Sequence, residues 1–203
     1  MSCSLSAEQI AKTVEFHGHE CPGLTIGLRA AELCLRELGH NDQNPIVAVT
    51  ETDMCGVDAI QVLTGCTFGK GNLVHRDHGK MAFSFYRRSD GKALRALLRP
   101  DAHGPHGAEM RELMKRIVDE KADEADMSRS RELRDKVRAH LLNADMDSVF
   151  SIETIESLPP RPAAILDSLP CTRCGEPTME SRTRRFRGET LCIPCFAKIE
   201  QKV

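Results

Sequence analysis

Residues 45–66 read PIVAVTETDMCGVDAIQVLTGC, and this stretch sets the fold class. The short β-branched run over 45–51 predicts a strand. TDMCG follows as a strand-to-helix turn, and VDAIQVLTGC predicts a helix. On the N-terminal side, residues 6–16 predict a helix capped by Ser6, with Ile10, Val14 and Phe16 facing inward. A second helix starts at Pro22, where the missing N–H costs nothing. It runs to Leu38 with Ile26, Ala30, Leu33, Cys34 and Leu38 at helical spacing, and Gly39 stops it. On the C-terminal side, TFGKGN is a glycine-rich loop, 81–88 alternates as a strand, and 92–98 reads as a short helix. Met110, Leu113, Met114, Ile117 and Val118 mark an amphipathic helix, Leu133, Val137 and Leu141 mark another, and 149–155 is a last strand. Strands and helices interleave, so the expectation is a mixed α/β or α+β layer fold.

Pro159, Pro160 and Pro162 break the periodicity and mark a linker. Two domains follow, a core over 1–160 and a small module over 166–203. The chain has 203 residues, 40% hydrophobic and 29% charged, with net charge −2. That balance gives no global attraction to nucleic acid or to an anionic membrane. No apolar run reaches the ~18 residues of a membrane span, and MSCSLSAEQIAK lacks the basic-then-apolar order of a signal peptide. The nine cysteines are odd in number and not spaced as a disulfide framework. A cytoplasmic protein using its thiols for metal or redox chemistry is the expectation.

Cys171, Cys174, Cys192 and Cys195 form C-x2-C, 17 residues, C-x2-C. Two knuckles at that spacing complete a tetrahedral zinc site with Zn–S distances of about 2.3 Å. Four thiolates leave no open position, so this Zn²⁺ is structural. The order expected is knuckle, hairpin turning near Arg187–Gly188, then a helix opened by Cys192 and running through CIPCFAKIEQK: a treble-clef finger. Arg182, Arg184, Arg185 and Arg187 argue for nucleic acid. Against it, residues 166–203 carry seven Lys/Arg and five Asp/Glu, a surplus that the charge of about −2 on Zn²⁺ with four thiolates cancels. The hairpin therefore reads as a solvated or protein-contacting surface.

In HGHECPG, His17, His19 and Cys21 lie two residues apart. On an extended segment they would point the same way, just before a helix N-terminus that favours thiolate. Three readings are open: a transition-metal site, a reactive Cys–His pair, or a structural turn with Cys21 as a buried hydrophobe. Cys55, in the DMCG turn, and Cys66, beside glycine on a loop, are accessible thiols in this reading and join the candidate set. Cys34 reads as inert core. His75 and His78 flank Asp77 in a loop read as solvated rather than site-lining. GCTFGKGN does not match a phosphate loop, because Gly71 follows Lys70.

FHGHECPGLTIGLRA, MCGVDAIQVLTGCTFGKGNL, HGKMAFSF and the LPPRP-to-CTRCGEPTMES passage resemble the FmdE family, proteins grouped with formylmethanofuran dehydrogenase. The resemblance covers nearly the whole chain. It implies an α+β core with a mixed sheet and a thioredoxin-like look, a C-terminal treble-clef finger, a homodimer, and a core-domain site able to hold a metal. On this sequence that site falls on His17, His19, Cys21, Cys55 and Cys66, with Cys21, His19 and Cys55 as candidate catalytic residues. A second Zn²⁺ or another transition metal would sit there. The cysteine spacings do not fit iron–sulfur ligation.

Three functions follow. One is a metal- or thiol-dependent redox or accessory protein linked to molybdenum/tungsten formylmethanofuran dehydrogenase-type systems. The second is an adaptor or regulator that meets a protein through the finger. The third is a dimeric scaffold in which HGHECPG is structural.

Overall fold

The computed structural model describes residues 2–199, and the chain divides into two compact units at Pro162/Ala163. The first contains, in order, α1 (Ala7–His17), α2 (Pro22–Glu37), β1 (Ile46–Thr50), α3 (Gly56–Thr64), β2 (Leu73–His75), β3 (Ala82–Arg87), β4 (Ala93–Leu98), α4 (Gly107–Val118), α5 (Glu124–Asn143), α6 (Met146–Val149) and β5 (Phe150–Thr154). Five strands form one mixed sheet in the order β2-β1-β3-β4-β5. β1 and β2 are parallel, and the other three pairings are antiparallel. The class is α+β, a mixed sheet with helices.

Three local expectations change. Residues 92–98 carry good helix formers yet form β4, because their backbone is paired on both sides, with β3 and with β5. Tertiary pairing overrides that propensity. β2 lies in a stretch without strand-like alternation and exists through its parallel register with Ala48–Thr50. Phe16, expected inward on α1, is 60% exposed.

Pro22 at the first turn and Cys21 at the N-cap start α2. Every residue from Leu24 to Cys34 is buried, so the helix is enclosed on all sides rather than along one stripe. It packs with Phe83, Phe85 and Phe150 of the sheet in the main apolar cluster. Two charges are enclosed with it. The Arg29 guanidinium donates to the carbonyls of Leu142 (3.2 Å) and Ala144 (2.8 Å) at the end of α5, and pairs with Glu32 at 3.1 Å. Glu32 in turn accepts from the Ser4 backbone N–H and hydroxyl, both at 2.7 Å. Buried charge is tolerated here because each group has partners, and helix-end carbonyls gain a donor.

α2 and α3 meet at two glycines. A Cβ on Gly27 would overlap the Gly56 backbone, and a Cβ on Gly56 would lie 3.1 Å from the Gly23 carbonyl oxygen. The helices therefore touch backbone to backbone near their N-termini. The exit of β1 is fixed separately. Arg95 grips the buried Glu51 carboxylate with Nε at 2.6 Å and Nη2 at 3.1 Å, and His78 Nδ1 lies 3.2 Å from it. Glu51 begins the turn that delivers Cys55.

The second unit holds two small hairpins and a helix: β6 (Ser168–Pro170) with β7 (Pro177–Met179), β8 (Thr183–Phe186) with β9 (Glu189–Cys192), and α7 (Ile193–Ala197). Arg187 and Gly188 both have positive φ (49° and 83°), the requirement of a two-residue hairpin turn with right-handed strand twist. The first hairpin, around the first knuckle, was not legible in the sequence. Residues past 199, including the end of the expected CIPCFAKIEQK helix, lie outside the described part. Among the described residues no helix is long and apolar enough to cross a membrane.

Replacing Gly27 with Ala forces α2 and α3 apart, and overpacking of this kind costs about 1–3 kcal/mol. Chemical denaturation of the variant reads this as a lowered unfolding midpoint of the core. A second expectation concerns acid. Hydrogen bonding from Arg95, reinforced by His78, holds the Glu51 carboxyl below its ordinary value of 4.5. Its contribution is present above that value and is lost as pH falls through the lower folded one. The stability difference between wild type and Glu51→Gln, measured across pH, is therefore largest near neutrality and shrinks below pH 4.5.

Candidate metal centres

His17 ends α1, and Gly18 closes that helix in the left-handed region with φ 89°. Glycine enters that region without a Cβ penalty, and the reversal brings His19 back beside His17, with ring centroids 4.5 Å apart. Two residues on, Cys21 caps α2, its Sγ accepting from the Leu24 backbone N–H at 3.3 Å. Cys55 takes the N-cap position of α3. The three HGHEC residues thus converge through a helix end, a reversal and a helix cap, not through alternation on an extended segment. The donor atoms of His17, His19, Cys21 and Cys55 all lie within 4.8 Å of one another.

Cys55 joins them because α2 and α3 are in backbone contact. A Cβ on Gly23 would stand 3.3 Å from the Cys55 Cβ, 3.7 Å from its Sγ and 3.9 Å from the Cys21 Sγ. Burial, with Cys21 beside it, raises the Cys55 thiol above its ordinary range.

Asp58, one turn along α3, escaped the sequence reading. Its Oδ2 lies 2.7 Å from His17 Nδ1. A carboxylate only accepts, so Nδ1–H donates to it, and in the neutral imidazole the lone pair then lies on Nε2. That Nε2 faces Cys21, 3.9 Å from its Sγ. A carboxylate fixing the tautomer of a metal-facing imidazole is a recurrent outer-shell device. The visible signal was an acidic residue three positions after Cys55, on the same helix. A second support is Arg138 of α5, 2.6 Å from Glu20, which lies between His19 and Cys21.

Cys66 does not join the cluster. Gly65 ends α3 with φ 72°, and the chain turns inward, leaving Cys66 fully buried with its Sγ 3.5 Å from the Ile46 carbonyl oxygen. A glycine neighbour on a loop marked a turn into the core rather than an accessible thiol. Cys34 is also fully buried, and burial pushes its thiol far up. His78 serves Glu51, and neither it nor His75 belongs to the cluster.

In the second unit the donor atoms of Cys171, Cys174, Cys192 and Cys195 likewise lie within 4.8 Å of one another. Cys174 and Cys192 are 3.8 Å apart, sulfur to sulfur, which matches the tetrahedron edge of roughly 3.8 Å that Zn–S bonds of about 2.3 Å require. Backbone N–H groups of Cys174 and Cys192 lower the Cys171 thiol to about 6, while Cys192 and burial push Cys195 up to about 12. Four thiolates cannot share this space without a cation. A divalent ion supplies the missing charge, so the donor set fits Zn²⁺. Leu191, fully buried, packs with Phe186, Phe196 and Ile199 beneath the cysteines.

Two family models match the chain. The family model described as FmdE, molybdenum formylmethanofuran dehydrogenase operon, matches residues 16–151. The prokaryotic dksA/traR C4-type zinc finger matches residues 165–201. A probable S-adenosyl-L-methionine-binding protein of Archaeoglobus fulgidus is 30% identical over 194 residues, 92% of this chain and 52% of the relative. The chain thus spans about half the length of that curated relative. The crystal structure of a tungsten formylmethanofuran dehydrogenase FmdE-like protein from Syntrophus aciditrophicus aligns with TM-score 0.63 and 25% identity, over 95% of this chain and 93% of that one. With its core domain matched and its four finger cysteines gathered, the chain belongs to the FmdE family and carries a C4-type zinc finger.

Proposed function

We propose that this protein is a metal-binding redox or accessory protein serving a molybdenum/tungsten formylmethanofuran dehydrogenase-type system, with a transition metal on His17, His19, Cys21 and Cys55. The observation that carries the reading is the convergence of those four donors, with His17 held by Asp58. Two sulfur and two imidazole donors suit Zn²⁺ above other ions. When bound, such an ion acts as a Lewis acid and holds its thiolates deprotonated.

The ligands are not equally fixed. Cys21 is a helix cap with a backbone donor, His17 is held by Asp58, and Cys55 sits on the α3 N-terminus. His19 is exposed, its ring resting beside that of His17. Its release would open one position while three anchored ligands stay, the arrangement of catalytic rather than closed sites. Cys21, His19 and Cys55 remain the residues proposed to meet a reacting group. In this reading the protein works in the reducing cytoplasm, where thiols persist as ligands, and as the homodimer that the family resemblance implies.

A second reading has its own observation. Arg182, Arg184, Arg185 and Arg187 are all exposed, and among the described residues none is paired with a carboxylate. An adaptor role through the finger would present them to an acidic protein partner.

Metal analysis of the anaerobically purified full chain separates these. The first reading expects two equivalents per chain, falling to one in Cys21→Ala and in Cys55→Ala, with Cys174→Ala affecting only the finger. One equivalent in the wild type, unchanged by Cys21→Ala, removes the core metal. Asp58→Asn is expected to weaken the core equivalent by about 10–100-fold in a chelator competition while the finger's is retained.

A further inference from the structure

Among the core-domain cysteines, Cys21 and Cys55 share two properties: partial exposure and a thiol neighbour within reach. Cys34 and Cys66 are fully buried. Cys3 lies near the N-terminus beside Glu32 and outside the cluster. The Cys21 and Cys55 sulfurs lie within 4.8 Å of each other and flank the same empty point, the place where Gly23 has no Cβ. Rotation about the Cα–Cβ bonds is the motion that would take them to a bond length of about 2.05 Å. The two helix starts that carry them are already held together by the Gly27–Gly56 contact.

We propose that Cys21 and Cys55 are an oxidisable dithiol that closes to a disulfide and thereby releases the core metal, an inference that rests on the metal-centre reading above. The oxidant is a hydroperoxide. The Cys21 thiolate, supported by the Leu24 N–H, attacks the terminal peroxide oxygen. The O–O bond breaks, the alcohol leaves with one proton from solvent, and Cys21 carries a sulfenic acid. The Cys55 thiolate then attacks that sulfur and displaces hydroxide, which takes a second proton to become water. Two thiolates have lost two electrons in total, and the peroxide has gained them. The metal leaves as the unchanged divalent cation, because its two anionic ligands are gone and two neutral imidazoles remain. Thiol reduction reverses the S–S bond and restores the ligand set. Exposed His19 leaves a solvent-facing side through which a small peroxide can reach the sulfurs.

The test uses the full-length, metal-loaded protein titrated with hydrogen peroxide, alkylated, and digested with trypsin. Cys21 falls in peptide 13–29 and Cys55 in peptide 37–70, which also holds Cys66. The expected product is a cross-link between these two peptides, lost on treatment with dithiothreitol, with fragment spectra placing the bond on Cys55. One of two metal equivalents is released in step with it, read with a chromogenic chelator, and returns after reduction and re-addition of Zn²⁺. Cross-links confined to finger cysteines, or Cys21 and Cys55 recovered as separate sulfinic acids, overturn the inference. A core that holds its metal equivalent yet forms no link removes the dithiol alone and leaves the proposed function standing. A link in protein that never holds a second equivalent keeps the dithiol and removes the metal centre.

Discussion

The backbone contact between Gly27 and Gly56 is the constraint on which the core site depends. α2 is sealed inside the domain by the sheet on one side and by its charge network with α5 on another. Its N-terminus cannot shift without disturbing that packing, and interiors this dense transmit displacement rather than absorb it. α3 is then set against α2 at a separation no side chain would permit. Cys21 and Cys55, far apart in sequence, become neighbours because each begins one of these two helices. The site is a consequence of helix packing: His17, Cys21 and Cys55 sit on helix ends, and His19 lies in the short turn between the first two.

A second layer of support orients what the helix contact brings together. Asp58 bonds His17 Nδ1 from α3, Arg138 of α5 pairs with Glu20 between His19 and Cys21, and Arg95 fixes Glu51 where β1 leaves for the Cys55 turn. These supports come from three different elements. A functional constellation has to be held to about half an ångström, and support from several elements does this better than one flexible loop.

Much of this was legible in the chain before its fold. The finger spacing, the Pro22 helix start, β1, β3 and β5 all follow from local rules that tertiary packing did not overturn. HGHEC and Cys55 were visible as chemistry, and the turn placing Cys55 before a helix was visible as geometry. What failed did so for identifiable reasons. β4 has a helical composition and becomes a strand because β3 and β5 flank it on both edges. Cys66 follows a glycine whose positive φ sends it inward, so a rule about loops misplaced it. Asp58 carries no motif of its own. Its meaning appears only once α1 and α3 lie side by side, a fact no single helix encodes.

The two cysteine clusters differ in a way that bears on function. The finger uses four thiolates, two of them almost fully buried, over a small apolar cluster of Leu191, Phe186 and Phe196. A metal there would stand in for a hydrophobic core too small to hold about forty residues by itself, so removing it is expected to unfold the module. The core domain has no such need, since its sheet and enclosed α2 supply a full apolar interior. Three of the four convergent donors there are partly exposed, and His19 is exposed outright. Partly exposed thiols and imidazoles, with Asp58 and Arg138 beside them, are what the proposed function requires: a centre for chemistry or exchange rather than for folding.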